Sequence, residues 1–277
     1  MKKMIIRKIT DLKTYDSYIR SFLNDPDYSD PNLSARIEKG HELNDLLTKK
    51  DHYCFSIEND EQTAGIFVFL ILSEEKYIEM LLGINRDPDA VEKILEYLET
   101  HFKGYDSYFI FNPNNLLFND ALKRRQAVFD TEQQKMFYTH HCPECAVEDV
   151  QLLAEEYYDP YLKMHNTDVY WTGKRVIEAA DTFRTYIALK DNIVTGYLDV
   201  TYCHEENEPI DLFVKEEYRH QGYGRKLLKR ALLDNEPKDM RLHVDVDNLI
   251  AIHLYESMGF IKKDMENSVT ACWNIPE

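Results

Sequence analysis

Several features that would mark a secreted, membrane-spanning or nucleic-acid-binding protein are scarce here. Cysteine is one: there are 5 in 277 residues, and an odd number in a chain of this size does not make a disulfide framework. Long apolar runs are another. The longest, residues 65–72, falls far short of the ~20 residues that span a bilayer and reads as a buried strand. The opening Met-Lys-Lys-Met-Ile-Ile-Arg-Lys meets charge before any extended apolar stretch, so no signal peptide and no membrane partner are expected. Together these features predict a cytoplasmic protein. Basic residues are also in short supply, with 33 Lys+Arg against 50 Asp+Glu and a net charge of -17. Phosphate-backbone binding needs clustered cations, so no nucleic-acid partner is expected. An acidic field suits a cationic ligand, and it equally suits solubility alone.

What is present is a chain able to fold. It is 44% hydrophobic and 12% aromatic, with 19 Tyr, which excludes a disordered composition. Its length suits two domains, each with its own core.

The most informative stretch is residues 219–224, Arg-His-Gln-Gly-Tyr-Gly. It follows a strand-like run at 210–214 and precedes a helical run at 225–233. A strand that enters a glycine turn and opens a helix leaves the first helical N–H groups free to meet an anion, with the helix dipole behind them. Lys215, Arg219, Arg225, Lys226, Lys229 and Arg230 crowd this segment of an otherwise acidic chain. The site suits a phosphorylated cofactor.

Arg219, Gly222 and Gly224 fill the pattern Arg/Gln-x-x-Gly-x-Gly/Ala. Downstream come Val244-Asp245-Val246-Asp247-Asn248 and Ala251-Ile252-His253-Leu254-Tyr255-Glu256-Ser257-Met258-Gly259-Phe260, and upstream Leu212-Phe213-Val214. This order resembles the GNAT superfamily of acyl-CoA N-acyltransferases: the strand that meets the pantetheine arm, the phosphate-binding turn, and the later strand–Asn–helix–Gly-Phe signature. The resemblance implies a mixed-sheet α/β (α+β) fold and acetyl-CoA as cosubstrate. The cofactor-binding residues it implies are Leu212, Phe213, Val214, Arg219, Gln221, Gly222, Tyr223, Gly224, Arg225, Lys226 and Asn248, where Asn248 could equally cap the following helix.

The same order of elements is echoed earlier in the chain. Gly65 and Gly196 lie 131 residues apart, as do Phe129 and Phe260, while Asn115 and Asn248 lie 133 apart. Strand pairs around Asn59-Asp60 and Asp191-Asn192 match, and a helix at 90–101 takes the place of the one after the glycine turn. Two tandem GNAT-like domains are therefore expected: 1–139 without a cofactor site, a linker at 140–145, and 146–277 carrying catalysis. In the first copy the turn reads Gly83-Ile84-Asn85-Arg86-Asp87-Pro88-Asp89. Asp87 fits as an N-cap whose carboxylate fills the anion's place, and Pro88 has no N–H to give. Arg124 stands where Tyr255 would. The first copy is expected to wall the acceptor cleft, or to supply within one chain the contact of a dimer, so that a monomer or a homodimer is expected.

His140, His141, Cys142 and Cys145 could supply four zinc ligands, but adjacent histidines seldom reach one ion and a single cysteine pair is weak. A plain linker with no metal is the expectation. Apolar spacing at Val150, Leu153, Ala154 and Tyr157 predicts a helix over 147–158. Tyr170-Trp171-Thr172 precedes another helix at 173–180, and the two aromatics read as core packing ahead of a place in the acceptor cleft.

Acetyl transfer needs a neutral amine, a polarised carbonyl and a protonated leaving thiolate. A phenol can protonate that thiolate, and Tyr255 stands where the family places such an acid. The alternative is a tyrosine that only packs. Glu208 leads as general base, with Asp211, Glu205 and Glu206 also open. A backbone N–H near Phe213 or Val214 would polarise the carbonyl. The expected function is N-acetyl transfer from acetyl-CoA to a primary amine, most simply a small cationic amine. A protein or peptide N-terminus is a second acceptor, and a non-catalytic acyl-CoA sensor is the competing class. Aminoacyl transfer from tRNA, known among tandem relatives of the superfamily, fits the acidic composition poorly.

Overall fold

The computed structural model describes residues 4–33, 37, 42–59, 62–167, 169–263 and 266–277, so Asp60 of the expected Asn59-Asp60 turn lies outside the described residues. The first half of the sequence runs β1 (Met4–Ile9), α1 (Asp16–Arg20), β2 (His52–Asn59), β3 (Gln62–Leu72), β4 (Tyr77–Asn85), α2 (Pro88–His101), β5 (Asp106–Phe111), α3 (Leu116–Arg124), β6 (Val128–Phe129) and β7 (Gln133–Tyr138). The second half runs β8 (Val150–Leu152), α4 (Tyr158–Met164), α5 (Gly173–Glu178), β9 (Phe183–Lys190), β10 (Ile193–Thr201), β11 (Glu206–Asn207), β12 (Pro209–Val214), α6 (Tyr223–Asn235), β13 (Asp239–Asp245), α7 (Leu249–Ser257), β14 (Phe260–Lys262) and β15 (Val269–Asn274).

Local chemistry accounts for most of these elements. Alternating and continuous apolar runs make strands, and β3 keeps residues 64–69 wholly buried. Asp191 and Asn192 adopt positive φ, 50° and 64°, between β9 and β10, as a tight hairpin requires. Four helices are started by side chains: Asp87 accepts from Asp89 N–H at α2, Asn115 from Phe118 at α3, Thr172 from Arg175 at α5, and Asn248 from Ala251 at α7. The helix expected over 147–158 is not formed. Val150 and Leu152 pair instead with Ala188 and Tyr186 of β9, and the helix begins only at Tyr158. A short amphipathic spacing was outvoted by an available sheet edge.

The chain divides into two compact units, one of residues 1–134 with 264–277 and one of residues 135–263. This corrects the expected boundaries at 139 and 146. The first unit holds one seven-stranded sheet in the order β1-β2-β3-β4-β5-β15-β6. The second holds two four-stranded sheets, β12-β10-β9-β8 and β11-β13-β7-β14. Each half thus gives its last strand to the other unit, where it fills the same slot. β15 lies between β5 and β6, and β7 lies between β13 and β14. The order β2-β3-β4-α2-β5-α3-β6 repeats as β9-β10-β12-α6-β13-α7-β14, the duplication expected from the spacing.

In the first unit, α2 lays Ala90, Val91, Ile94, Leu95 and Leu98 on a core with Phe67, Phe69, Phe109, Phe118 and the C-terminal Trp273. In the second, α6 buries Leu227, Leu228, Ala231 and Leu232 against Leu198, Val200, Leu242 and Phe260. Each buried Val, Leu, Ile or Phe among them contributes roughly 1.5–3 kcal/mol, and these cores fix the positions of the helices.

Candidate functional site

In the second unit β12 and β13 lie in different sheets, whereas their first-unit counterparts β4 and β5 pair in parallel from Tyr77↔Asp106 to Met80↔Phe109. β12 is the edge of its sheet, paired on one side with β10 through Gly196↔Val214, Tyr197↔Phe213, Leu198↔Leu212 and Asp199↔Asp211. The Lys215 N–H donates to the Thr195 carbonyl at 2.9 Å. Antiparallel alternation then turns the N–H groups of Val214 and Leu212 away from β10. Of the two amides the sequence left open, Val214 is the one on the outer edge. The Val214 carbonyl, on that same edge, accepts from Arg219 Nε at 3.0 Å, which ties the start of the glycine turn to the strand.

The turn itself is left-handed at His220 (φ 60°) and at Gly222 (φ 86°). A Cβ at Gly222 would meet nothing within 4 Å, so open space lies over the turn, and a Cβ at Gly224 would touch Leu254 at 3.4 Å and Val214 at 3.9 Å. Gly222 is the N-cap of α6 and has no side-chain cap. Among the described helices of nine residues or more, α6 is the one whose first turn no side chain serves. Its N–H donors remain for a ligand.

The cations expected at this turn are largely spoken for. Lys226 Nζ pairs with Asp149 at 2.6 Å, and that contact raises its pKa. Arg230 pairs with Asp234 along the helix, and Lys229 is buried beside Cys142 and Glu144. Arg225 reaches Ser257 Oγ at 2.9 Å, and Gln221 Nε2 donates to the Glu217 carbonyl at 3.0 Å. Tyr223 is buried against Tyr218. Leu212 and Val214 pack on the α6 core, while Phe213 stacks on Tyr197.

Tyr255 sits on α7, 9% exposed, its ring 5.9 Å from that of Phe260. Among the described residues its hydroxyl makes no hydrogen bond, and it is not one of the fully enclosed polar atoms. Burial first, and then the negative charge of Asp211, push the phenol up to about 12, so it is protonated throughout the neutral range. Asn248 caps α7, its Oδ1 accepting from Ala251 N–H at 3.1 Å.

Glu208 is drawn into another role. Its Oε1 accepts from His243 Nδ1 at 2.6 Å and its Oε2 lies 3.6 Å from Arg241 Nε. Burial opposes ionisation, but the bond to His243 and the charges of His243, Arg241 and Lys135 outweigh it, and the pKa is lowered. A carboxylate so engaged is a weak proton acceptor. Asp211 stands in the opposite condition: burial raises its pKa, with the nearby Asp199 adding to the rise, against a hydrogen bond from Tyr197 and the charge of His165. Its partners, His165 and Asp199, were missed in the sequence. The signal was there in one place, an aspartate inside the apolar alternation Tyr197-Leu198-Asp199-Val200 and opposite Asp211 in a hairpin.

The first unit differs at each corresponding point. Asp87 caps α2 with its own carboxylate and Pro88 occupies N1, and Arg124, in the place of Tyr255, pairs with Glu92. In the second unit, His140 bridges Glu236 and Asp239. Among the described residues the His/Cys/Asp/Glu group whose ligand atoms converge within 4.8 Å is His165, Asp199 and Asp211, not the Cys142–Cys145 segment. Tyr170 and Trp171 are 56% and 38% exposed, which corrects their reading as core. Trp171 edges Phe183 at 4.6 Å and Arg175 covers Tyr170 at 4.5 Å. No described helix is long and apolar enough to cross a membrane.

An edge strand parted from its neighbour, followed by an uncapped glycine turn and helix, defines the acyl-CoA N-acyltransferase class of fold. Comparison with known proteins agrees. Residues 181–262 match the family model described as "Acetyltransferase (GNAT) domain", and solved structures share the fold of the chain as a whole. It is similar to a GCN5-related N-acetyltransferase of Sphaerobacter thermophilus, with a TM-score of 0.64 at 11% identity over 99% of this chain and 96% of the other. It is similar also to a tandem GNAT protein from the clavulanic acid biosynthesis pathway, with a TM-score of 0.53 at 12% identity over 99% of both chains. At these identities the likeness is one of fold. In sequence, 113 residues are 28% identical to a spermidine N(1)-acetyltransferase of Vibrio cholerae, covering 39% of this chain and 61% of that relative.

Proposed function

We propose that this protein transfers the acetyl group of acetyl-CoA directly to a primary amine, at a site built by residues 135–263. The observation that carries the reading is the α6 N-terminus, a left-handed glycine cap with open space above it and no side chain serving its donors. Backbone amides of residues 221–225 would hold the pyrophosphate, with Arg219 and Arg225 beside them. The outward N–H of Val214 on β12 would receive the thioester carbonyl, where a donor stabilises developing negative charge. Tyr255, buried and protonated, would give its proton to the departing thiolate. The acidic balance of the chain favours a small cationic acceptor, and the similarity to a spermidine acetyltransferase points the same way.

The test is to titrate the full chain with CoA by calorimetry, then to follow free-thiol release from acetyl-CoA over a panel of polyamines, aminoglycosides and peptide N-termini. Tight CoA binding with turnover of a polyamine is the expected result. Tight binding with no thiol released from any amine would make the protein an acyl-CoA sensor.

A further inference from the structure

Behind β12, on the face opposite the α6 core, lies a buried polar network. Asp199 of β10 is fully buried, yet both of its oxygens are served. Oδ2 accepts from Tyr161 Oη and from His165 Nε2, each at 2.9 Å, and Oδ1 accepts from Thr185 Oγ1 at 2.5 Å. The β10–β12 ladder slips its register between Asp199 and Val200, the kind of irregularity that re-aims a side chain near a working site. His165, at the end of α4, is buried and stacks on Tyr197 with ring centroids 5.1 Å apart and planes 14° apart. Its Nδ1 faces the Asn166 carbonyl at 3.0 Å while Nε2 faces Asp199. Two acceptors on two ring nitrogens favour a proton on each. Burial opposes the charge, but the contacts with Asp199, Asn166 and Asp211 outweigh it and raise the His165 pKa.

Across from it, His165 Nε2 lies 3.6 Å from Asp211 Oδ2, which accepts from Tyr197 Oη at 2.6 Å. Asp211 differs from Asp199 in two respects. Its side chain is 33% exposed, and among the described residues its second oxygen has no donor. One cation thus sits between two carboxylates, and the uncompensated negative charge opens outward at a single oxygen. That oxygen is on the cofactor strand, two residues before Phe213.

We propose that Asp211 receives the acceptor's ammonium group and takes its proton, and that the buried Asp199–His165 pair is the positioning device that holds Asp211 and sets its basicity. The inference rests on the acetyl-transfer reading and narrows it to aliphatic primary amines that arrive protonated. One ammonium N–H breaks and its proton goes to the Asp211 carboxylate. The freed lone pair forms the N–C bond at the thioester carbonyl while the C–S bond breaks, and the thiolate takes the Tyr255 proton. The second N–H proton restores the Tyr255 phenol, and Asp211 passes the first to water. The products are an amide, a free thiol and one proton. Burial keeps the Asp211 pKa above the usual carboxylate range, which brings it closer to its task without losing the charge that attracts the ammonium.

The ionisable groups that face Asp211 are Tyr161 and His165 of the α4 segment, Tyr197 and Asp199 of β10, and Tyr255 of α7. Removing the imidazolium while keeping a donor for Asp199, as in His165→Gln, takes away the one cation beside Asp211 among the described residues. The acidic limb of kcat/KM against pH should then move to higher pH by about one unit, the tenfold scale of a single lost charge contact, with CoA affinity unchanged. Asp211→Asn, at a half-exposed position that keeps the Tyr197 bond, should lower kcat/KM for spermidine about 100-fold and weaken spermidine binding at least tenfold by calorimetry. An arylamine, uncharged at neutral pH, should lose far less. If wild-type protein binds spermidine and Asp211→Asn does not, yet no thiol is released, the acetyl-transfer reading fails and the ammonium site stands. If both variants keep the wild-type pH profile and spermidine affinity, the proposal is overturned. Stoichiometric zinc binding lost in His165→Gln would overturn it too, since these groups would then serve a metal.

Discussion

Replacing Tyr255 by Phe removes one oxygen and leaves everything else in place. The ring stays at 5.9 Å from Phe260 and within the α7 core. Because the hydroxyl makes no hydrogen bond among the described residues, its loss strands no partner, and the stability change should stay under ~0.5 kcal/mol. The effect on chemistry should be much larger. The phenol, pushed up to about 12 by burial and by the Asp211 charge, is a reluctant acid toward a thiolate in water. A thiolate expelled into the same low-dielectric space is itself more basic, however, which narrows the gap. A positioned general acid contributes at least ~100-fold, about 2.7 kcal/mol of barrier. Thiol release under saturating acetyl-CoA should therefore fall ~100-fold, while CoA affinity by calorimetry and the melting temperature stay at wild-type values. A kcat within threefold of wild type would show that Tyr255 only packs. Loss of CoA affinity in step with kcat would refute the assignment as well.

Three further substitutions probe the supporting geometry. Gly222→Ala adds a Cβ that touches nothing within 4 Å but forces an L residue to φ 86°, at about 1–2 kcal/mol. It should weaken CoA about tenfold as the turn relaxes, seen by calorimetry. Gly196→Ala puts a Cβ 2.5 Å from the Phe213 carbonyl oxygen and 3.1 Å from the Val214 Cα. β12 must shift, so stability should drop by about 1–3 kcal/mol in thermal melts and CoA affinity should fall with it. Glu208→Gln takes the carboxylate from His243 and leaves Arg241 with Glu206 alone, costing about 1.5–3 kcal/mol with kcat at neutral pH within a few-fold of wild type. Because folding lowers the Glu208 pKa, its stabilisation is present above the usual glutamate range and fades as pH falls through the lowered value. The acid limb of stability should accordingly be shallower in the variant.

How much of this was legible in the sequence depended on how local the cause was. The glycine turn, the Asp87 cap with Pro88 behind it, and the Asn248 cap rest on interactions within three residues and were legible in the sequence, while Asn115 was located only as the echo of Asn248 and its capping bond comes from the structure. The duplication was legible because element order survives when identity does not. β8 was misread as helix, because Val150 and Leu152 answer to β9 more than 30 residues away and no local spacing reports a distant sheet edge. The pairing of Asp199 with His165 was invisible for the same reason, since 34 residues and a helix turn separate them. Glu208 was favoured as base by its offset from the cofactor strand, and only the arrival of His243 beside it shows that it is already engaged.

The placement of β15 has a consequence for how the molecule comes into being. Asn274 donates to Asp106 across 168 residues, and the strand that carries it completes a sheet whose other members emerge first from the ribosome. The first unit therefore waits, one slot short between β5 and β6, until the residues of β15 have been made. During that interval two strand edges are open to unwanted partners. A truncation that removes β15 would harm the sheet of the first unit, although the residues removed lie beyond the whole of the second unit along the chain.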